Sequence, residues 1–508
     1  MLARVTTFAI DGVDPRKVSV EVDIRPGLPA FTIVGLGDAA VRESRERIRS
    51  AILNSGFDFP QRRITANLAP ASLRKAGPGF DAAMALAVLA ASGQLDPEAL
   101  VGVAVFGELS LSGELRDSAG ALAVAEGARR HGLSRLVLPA GRAREAALVD
   151  GLEIAGVSGL QAAVDAVTGK RLPPAPERLE PIRAGAQLDL ADVRGHRVPL
   201  QALQITAAGG HNLLLEGAPG TGKTMLARRL PSILPPLTRA EAIEVTRIHS
   251  VVGLHADGLT QTRPFRAPHH TISAAGLVGG GVPPRPGEVT LAHLGVLFLD
   301  EFSEFQRITL EALRQPLEDG RVTIVRGQRA LVFPTRFMLV AATNPCPCGY
   351  AGVGDRCNCT EADLRRHQRR LSGPLLDRMD LLVDVARPSE AELRAEPVTD
   401  SATARARVVA ARERQRRRLA GTGASCNAEM DAGTIQAVVR LEEAAQATLG
   451  DAYTSGMLSA RARHRVVRVA QTIADLAGHE RVSGADLLMA LSFRQRGRTE
   501  EVLRHERS

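Results

Sequence analysis

The chain has 508 residues, of which 44% are hydrophobic and 24% charged; this composition excludes a disordered chain, and the length predicts about two to four domains. The longest apolar run (82–91) is too short to cross a bilayer, and the N-terminus lacks the zones of a secretory signal. The five cysteines are an odd number, which argues against a disulfide framework and for a reducing compartment. We therefore expect a cytoplasmic protein with no membrane partner. The net charge is +8, and residues 401–508 hold 18 arginines against 12 acidic residues. This excess of positive charge favours a nucleic-acid partner. A genome rich in arginine codons would produce the same excess and is the alternative.

Four regions follow one another along the chain. Residues 1–168 alternate short strands with helical stretches, which predicts an α+β domain, and residues 169–184 are rich in proline and charge, which is typical of a linker. Residues 185–395 contain apolar strand-like runs separated by helices, the pattern of a parallel α/β sheet. Residues 396–508 are predicted to be helical, and their arginine-rich run at 412–418 is interpreted as a solvated helix face, with contact to DNA as the alternative.

The segment GAPGTGKT lies between a predicted strand and a predicted helix and fits the spacing G-x-x-x-x-G-K-[ST]. Its glycines let backbone N–H groups face phosphate oxygens, and the helix N-terminus adds partial positive charge. We therefore predict an ATP site in which Lys223 reaches the β- and γ-phosphates and Thr224 ligates Mg²⁺; a purely structural glycine-rich loop is the alternative. The predicted nucleotide-binding residues are Gly217, Ala218, Pro219, Gly220, Thr221, Gly222, Lys223 and Thr224.

Two later apolar runs end in polar residues. Asp300 and Glu301 follow the run Val296–Leu299, and Asn344 follows the next one. Because the ends of parallel strands converge on a ligand crevice, we predict that Asp300 binds the Mg²⁺ through water and that Glu301 polarises the attacking water. Asn344 would hold that water near the γ-phosphate, and an asparagine that only caps a turn is the alternative. Glu301 thus predicts hydrolysis of ATP rather than binding alone.

Four of the five cysteines lie directly after Asn344 in a C-x-C-x₈-C-x-C pattern, at Cys346, Cys348, Cys357 and Cys359. Four thiolates brought together suit a tetrahedral structural Zn²⁺ that would brace the end of the preceding strand. The one-residue gaps are shorter than the usual ligand spacing. A reduced, metal-free loop and a redox-regulated disulfide therefore remain alternatives.

Taken together, GAPGTGKT, VLFLDE, ATNPCPCG and SGPLLDRMD resemble the motifs of the magnesium-chelatase-like branch of the AAA+ ATPases. With its N-terminal region, the chain resembles the ComM/YifB competence family over nearly its whole length. The resemblance implies a P-loop AAA+ core with a parallel sheet, a C-terminal helical lid and an N-terminal Lon-protease-like domain. It also implies an ATP-driven hexameric ring that promotes branch migration of DNA. A metal-chelatase motor subunit, which shares the ATPase core, is the alternative function.

The resemblance also assigns individual residues. Arg378 matches the arginine finger that would reach the γ-phosphate of a neighbouring subunit, and Arg461 matches the sensor arginine at the start of a lid helix; ordinary salt bridges are the alternative for both. Residues 263–288 and a predicted hairpin at 321–334 resemble insertions that line the pore of related ring motors. Arg326 and Arg329, at the hairpin turn, would then contact DNA phosphates without reading sequence, and a solvated hairpin face is the alternative.

Two features within these regions receive a more limited interpretation. His269 and His270 are adjacent, so their side chains are expected to point apart, and no role is assigned to them. Proteolysis by a Lon-type domain needs a serine nucleophile activated by a lysine. The matching positions here hold Gly79 and Leu122, so we expect the N-terminal domain to be a noncatalytic scaffold.

Overall fold

The computed structural model describes residues 1–494 except 36, 76, 78, 178–187, 255–258, 282–283, 327–328 and 371–372. The chain divides into two compact units. Unit 1 comprises Met1–Arg183 and Thr238–Gln261, and unit 2 comprises Ala184–Leu237 and Thr262–Ser508. The segment Thr238–Gln261, predicted from the sequence to lie within the 185–395 core, therefore packs with the N-terminal unit. Within the described part of the chain, no helix has the length and apolar character needed to cross a membrane.

Unit 1 is built on a mixed sheet, with elements numbered along the whole chain. Its strands are β1 (Leu2–Asp11), β2 (Asp14–Arg25), β3 (Ala30–Val34), β4 (Arg63–Ala69), β5 (Val103–Val105), β6 (Glu108–Leu109), β7 (Leu115–Arg116), β8 (Arg135–Pro139) and β9 (Glu153–Val157). Its helices are α1 (Ala39–Asn54), α2 (Asp81–Ala91), α3 (Ala121–Arg130), α4 (Ala140–Ala146), α5 (Leu160–Thr168) and α9 (Arg239–Val251). Among the described residues the main sheet has the order β3-β4-β2-β1-β5-β8-β9. The pairs β4–β2 and β2–β1 are antiparallel, and the other pairs are parallel.

Helix α2 forms the centre of the unit 1 core, and all of its residues are buried. Its one charged residue, Asp81, accepts hydrogen bonds of 2.8 and 3.4 Å from the Arg47 guanidinium. Burial raises the pKa of Asp81 to about 6 even though Arg47 opposes the shift. Just before α2, a Cβ atom at Gly79 would lie 2.6 Å from the Phe106 ring. A serine does not fit there without rearrangement, which agrees with the noncatalytic interpretation of this domain.

Helix α9 is held to unit 1 by charged and polar contacts. Arg239 pairs with Asp150 at 2.8 Å, and Arg247 pairs with Glu126 at 3.0 Å. The Ser250 hydroxyl accepts a hydrogen bond of 3.1 Å from the backbone N–H that precedes α3. These contacts account for the division of the chain, since they join α9 to residues from the N-terminal region.

Unit 2 contains the remaining elements. Its strands are β10 (Leu213–Glu216), β11 (Phe265–Arg266), β12 (Gly279–Gly280), β13 (Arg285–Pro286), β14 (Val296–Leu299), β15 (Arg321–Arg326), β16 (Arg329–Pro334), β17 (Met338–Thr343) and β18 (Leu381–Asp384). Its helices up to β18 are α6 (Arg197–Gly209), α7 (Lys223–Ala227), α8 (Leu230–Ile233), α10 (Ala274–Val278), α11 (Glu288–Leu291), α12 (Arg307–Glu311), α13 (Arg314–Asp319), α14 (Glu361–Arg370) and α15 (Gly373–Leu376). The later helices are α16 (Glu390–Arg394), α17 (Ser401–Arg418), α18 (Ala432–Val438), α19 (Glu443–Thr454), α20 (Ala460–Ala477) and α21 (Gly484–Ser492).

The core of unit 2 is a parallel sheet with the strand order β11-β14-β17-β10-β18 among the described residues. Strands β14 and β17 are buried along their whole length, as expected for a parallel sheet covered on both faces. The predicted parallel α/β core and the helical C-terminal region are therefore confirmed. Because β10, β17 and β14 are neighbours, the segments that follow them meet at one edge of the sheet.

The predicted hairpin is present, with β15 and β16 paired antiparallel and Arg326 opposite Arg329. Residues 327–328 and the side chains of these two arginines lie outside the described residues. The arginine-rich run of α17 differs from its predicted solvated face. Arg412 donates to the Ala207 carbonyl, and Arg418 forms two hydrogen bonds of 2.7 Å with the buried carboxylate of Asp475. The run is thus partly a structural tie between helices.

Candidate active site

The phosphate-binding loop joins β10 to α7 and brings its lysine against the end of β17. The Lys223 ammonium donates hydrogen bonds to the carbonyls of Gly217 and Ala218 at 2.6 and 2.9 Å, and to the Asn344 Oδ1 at 3.2 Å. Burial lowers the pKa of Lys223, and the nearby carboxylate of Asp300 opposes that shift. The loop lysine and the polar residue after β17 therefore lie together, as the parallel strand ends predict.

Thr224 and Asp300 meet directly, with the threonine hydroxyl donating to Asp300 Oδ2 at 2.8 Å. The other oxygen of Asp300 accepts the backbone N–H of Glu301 at 3.0 Å. Mg²⁺ prefers octahedral oxygen ligands at about 2.1 Å and usually keeps several of its waters in a protein site. The meeting of these two side chains therefore fits the predicted magnesium site, in which Thr224 is a ligand and Asp300 acts through a bound water.

A histidine contacts the predicted catalytic carboxylate. Nδ1 of His270 lies 3.0 Å from Oε2 of Glu301, whose backbone has left-handed angles of φ 51° and ψ 46°. The expectation that His269 and His270 point apart is wrong, because their ring centroids lie 4.1 Å apart. Adjacent side chains diverge in extended backbone, but these two residues lie in the irregular segment after β11.

A cavity of about 230 Å³ adjoins the acidic end of β14. It is lined by Arg228, Ala267, Pro268, His269, His270, Phe298, Asp300 and Glu301. Sequence reasoning missed Arg228 as a lining residue, although its position directly after α7 could have indicated it. The cavity combines cationic, imidazole and carboxylate groups, which suits a charged phosphate ester and a water molecule.

The segment after β17 packs on the phosphate-binding loop. His367, from α14, donates from Nε2 to the Asn344 carbonyl at 2.9 Å. A Cβ atom at Gly349 would lie 2.7 Å from the ring of Pro219, so the loop that carries the cysteines touches the nucleotide loop. Because the two loops are in contact, a change in the conformation of one loop displaces atoms of the other.

The four cysteines form one cluster, since their sulfur atoms all lie within 4.8 Å of one another. The sulfur of Cys346 lies 3.3 Å from that of Cys348 and 3.8 Å from that of Cys357, and the sulfurs of Cys348 and Cys357 are 3.6 Å apart. Zinc bound by thiolates at about 2.3 Å in a tetrahedron separates the sulfurs by about 3.8 Å. The backbone N–H of Tyr350 lowers the pKa of Cys348 to about 6, whereas burial raises the pKa of Cys346 to about 12, so the case for a metal site rests on the spacing of the sulfurs. The cluster can therefore hold a metal ion such as Zn²⁺.

Arg378 and Arg461 belong to one group of arginines. Arg378 donates a hydrogen bond to Glu318, and its pKa is lowered by burial and then by the positive charges of Arg465, Arg314 and Arg461. Arg461 is exposed in the first turn of α20, where its position at the start of a helix was predicted. The structure thus places the two predicted arginines near each other within one chain.

Comparison with known proteins identifies the family. Three family models match: "Magnesium chelatase, subunit ChlI" over residues 189–393, "Subunit ChlI of Mg-chelatase" over 20–142 and "Magnesium chelatase, subunit ChlI C-terminal" over 398–494. Protein YifB of Escherichia coli strain K12 is 42% identical, with 97% of each chain covered, and competence protein ComM of Haemophilus influenzae is 41% identical, with 97% of each chain covered. The chain belongs to the magnesium-chelatase-like ComM/YifB family.

Membership of the ComM/YifB family confirms the predicted resemblance and fold class. The protein is an AAA+ ATPase of the ComM type, for which ATP and Mg²⁺ are implied. Lon protease 2 of Bacillus subtilis is 28% identical over 26% of this ComM/YifB chain and 25% of its own length. The predicted similarity of the N-terminal region to Lon proteases is therefore supported.

Proposed function

We propose that this ComM/YifB protein is an ATP-driven ring motor that moves DNA junctions by branch migration, in recombination or natural transformation. The observation that carries the proposal is its 41% identity, over 97% of both chains, to a protein named for competence. The contact of the phosphate-binding loop with the acidic strand end, from Thr224 to Asp300, supports an ATP-driven process rather than passive binding.

In this proposal each side chain at the edge of the parallel sheet has one task. Lys223 binds the β- and γ-phosphates, while Thr224 would ligate Mg²⁺ directly and Asp300 would hold it through a water. Bound Mg²⁺ neutralises charge on the phosphates. Glu301 accepts a proton from the attacking water, and Asn344 holds that water in line with the γ-phosphate.

The proposed ring makes the nucleotide site a shared one. Arg378 would reach the γ-phosphate bound by the next subunit, where a guanidinium neutralises charge in the transition state. Arg461 would act as the sensor of nucleotide state. The grouping of these residues with Arg314 and Arg465 supports an anionic partner at this surface, because clustered cations attract phosphate. A homo-oligomer, which we propose to be a hexamer, follows from such a site.

DNA would bind the two insertions of unit 2. Residues 263–288 and the β15–β16 hairpin resemble elements that line the pore of related motors. Arg326 and Arg329 are paired in the strand register next to the hairpin turn, and two cationic residues at this position suit contact with phosphates of any sequence. The proposed DNA is single-stranded or branched.

A second candidate is a motor subunit that drives metal insertion by a partner. It is favoured by the three matching family models, which are named for magnesium chelatase. The two candidates differ in what stimulates ATP hydrolysis. DNA should accelerate hydrolysis by a branch-migration motor, whereas DNA should leave a chelatase motor at its basal rate.

A three-strand branch-migration assay tests the proposal. The purified protein is incubated with a labelled three-strand DNA junction and with ATP, ADP or no nucleotide. We expect movement of the junction only with ATP, and no movement by a Lys223→Ala variant, which loses the phosphate contact. A Lys223→Ala protein that moved junctions at the wild-type rate would overturn the proposal.

A further inference from the structure

Asn212, the residue directly before β10, joins two other segments of unit 2 through its side chain. Its Nδ2 donates a hydrogen bond of 3.0 Å to the Arg378 carbonyl, and its Oδ1 accepts one of 2.8 Å from the Leu339 N–H. A carboxamide can donate and accept at the same time, which an ionised carboxylate or an aliphatic side chain cannot do. Asn212 therefore bridges the start of β17 and the turn that carries Arg378, and the proposed hydrolytic cycle gives it no task.

The backbone of Asn212 binds the chain after Arg378 independently of the side chain. Its N–H donates to Asp380 Oδ2 at 3.0 Å, and its carbonyl accepts the N–H groups of Asp380 and Leu381 at 2.9 and 3.1 Å. These bonds remain when the Asn212 side chain is replaced. A substitution here is therefore expected to remove the side-chain tie to Arg378 while β18 stays paired with β10.

The Arg378 backbone is held through both of its polar groups. Its N–H donates to the Leu375 carbonyl at 2.9 Å, three residues earlier in the chain, and its carbonyl accepts from Asn212. Of these two bonds, only the one from Asn212 leads to the sheet. Its far end is the backbone of β17, a strand that is buried along its whole length and is therefore held by close packing on both faces.

We propose that Asn212 is a positioning residue that holds the Arg378 backbone to strand β17 and so sets where its guanidinium reaches the nucleotide of a neighbouring subunit. The inference rests on the proposed function, because it takes Arg378 to act across subunits. A displacement of about 1 Å at a catalytic group can lower a rate about 100-fold. Loss of the Asn212 amide should therefore impair the neighbour's site and leave the nucleotide-binding residues of its own chain in place.

The test begins with two substitutions at this position. Asn212→Asp keeps an acceptor for the Leu339 N–H and loses the donor to Arg378, whereas Asn212→Ala loses both bonds without adding a charge. We expect either variant to lower the kcat for ATP about 100-fold, while the Kd for a non-hydrolysable ATP analogue stays unchanged. Steady-state ATPase assays and fluorescence titration measure these quantities, and circular dichroism and light scattering check folding and assembly.

A matched control lies in unit 1. The Asn54 Nδ2 also donates to a backbone carbonyl, that of Leu111 at 2.7 Å. Asn54→Asp removes a bond of the same kind far from Arg378 in the sequence, so this variant should keep wild-type kinetics.

Mixing experiments show in which subunit the change at Asn212 acts. In an equal mixture with Lys223→Ala, an Asn212→Asp subunit that binds ATP can receive the well-placed Arg378 of its neighbour, so about a quarter of the head-to-tail interfaces should regain activity. In a mixture with Arg378→Ala, no interface combines a complete nucleotide site with a well-placed arginine, so activity should stay low. Asn212→Ala should behave in the same way in both mixtures.

A mixture of Lys223→Ala with Arg378→Ala is the control that shows whether sites are shared. If this control regains activity, three outcomes would each overturn the role of Asn212: wild-type kcat in both Asn212 variants, recovery with Arg378→Ala, or no recovery with Lys223→Ala. If the control regains none, the shared site of the proposed function is wrong, and the inference falls with it.

Discussion

Asn344 joins the end of β17 to two side chains from other parts of unit 2. Its side chain accepts a hydrogen bond from Lys223, and its backbone carbonyl accepts one from His367. Only the first hydrogen bond is therefore lost in Asn344→Ala. If Asn344 positions the attacking water, this variant should lower the kcat for ATP about 100-fold, the usual cost of removing one well-placed polar group. The affinity for an ATP analogue should change little. Steady-state ATPase assays measure kcat, and fluorescence titration measures the affinity for the ATP analogue.

A matched control is available in the same loop. Asn358 is exposed, so Asn358→Ala should keep wild-type kinetics. Loss of ATP affinity in Asn344→Ala at an unchanged kcat would contradict the water-positioning role and would show that the residue acts only through Lys223.

The site could be predicted from the sequence wherever its chemistry lies in a local pattern. The spacing around Lys223 defines the phosphate loop, and a four-residue apolar strand before Asp300 defines the acidic end of β14. A parallel sheet then brings such strand ends together across long sequence separations. The contact of His270 with Glu301 could not be predicted, because it depends on the path of an irregular segment between two strands.

At the scale of elements, the loop that carries the cysteine cluster lies against the nucleotide loop through Gly349 and Pro219. We expect purified protein to contain about one zinc per chain, as a closed four-thiolate site predicts. Removal of zinc by a strong chelator should lower ATPase activity, because the metal would no longer hold together the cysteine-containing loop that follows Asn344. Metal analysis and ATPase assays before and after chelation measure both effects.

Single substitutions separate this metal site from general sulfur chemistry. Cys357→Ser should lose the zinc, whereas Cys426→Ser, which changes a buried cysteine outside the cluster, should keep it. Protein without zinc that kept full activity after chelation would contradict the prediction and favour the metal-free loop.

The β15–β16 hairpin gives a second prediction at this scale. If Arg326 and Arg329 contact phosphates, replacing both by alanine should weaken binding to DNA of any sequence. The slope of log K against log salt concentration should fall by about one for each arginine. Fluorescence anisotropy at several salt concentrations measures this slope. An Arg416→Ala/Arg417→Ala variant is the control, since these two exposed arginines of α17 pair with Glu413, and an equal loss there would contradict a specific role of the hairpin.

At the scale of the whole chain, the division into two units could be predicted only in part. The alternation of strands and helices indicated a mixed N-terminal unit and a parallel core, because strand and helix periods are local properties. The assignment of α9 to unit 1 depends on Arg239 and Arg247 reaching acidic residues far away in the sequence. Such ion pairs leave no periodic signal, and arginines are abundant throughout this chain.

If the protein forms a ring, each active site combines residues of two neighbouring subunits, and two inactive variants should complement each other. Lys223→Ala removes the phosphate contact of a subunit's own site, whereas Arg378→Ala removes the finger that the subunit would offer to its neighbour. Each variant alone should be inactive. In an equal mixture, an Arg378→Ala subunit that binds ATP can receive the intact Arg378 of a Lys223→Ala neighbour, so about a quarter of the head-to-tail interfaces should regain activity.

The mixing experiment also separates a finger that acts across subunits from one that acts within its own chain. The ATPase rate is followed as the two variants are mixed at a constant total concentration, and light scattering confirms that both assemble. If Arg378 served only its own subunit, every site in the mixture would lack either the lysine or the arginine, and the mixture would stay as inactive as its components. Recovery of activity therefore requires the arginine to reach a neighbouring nucleotide, which is what couples hydrolysis to ring assembly.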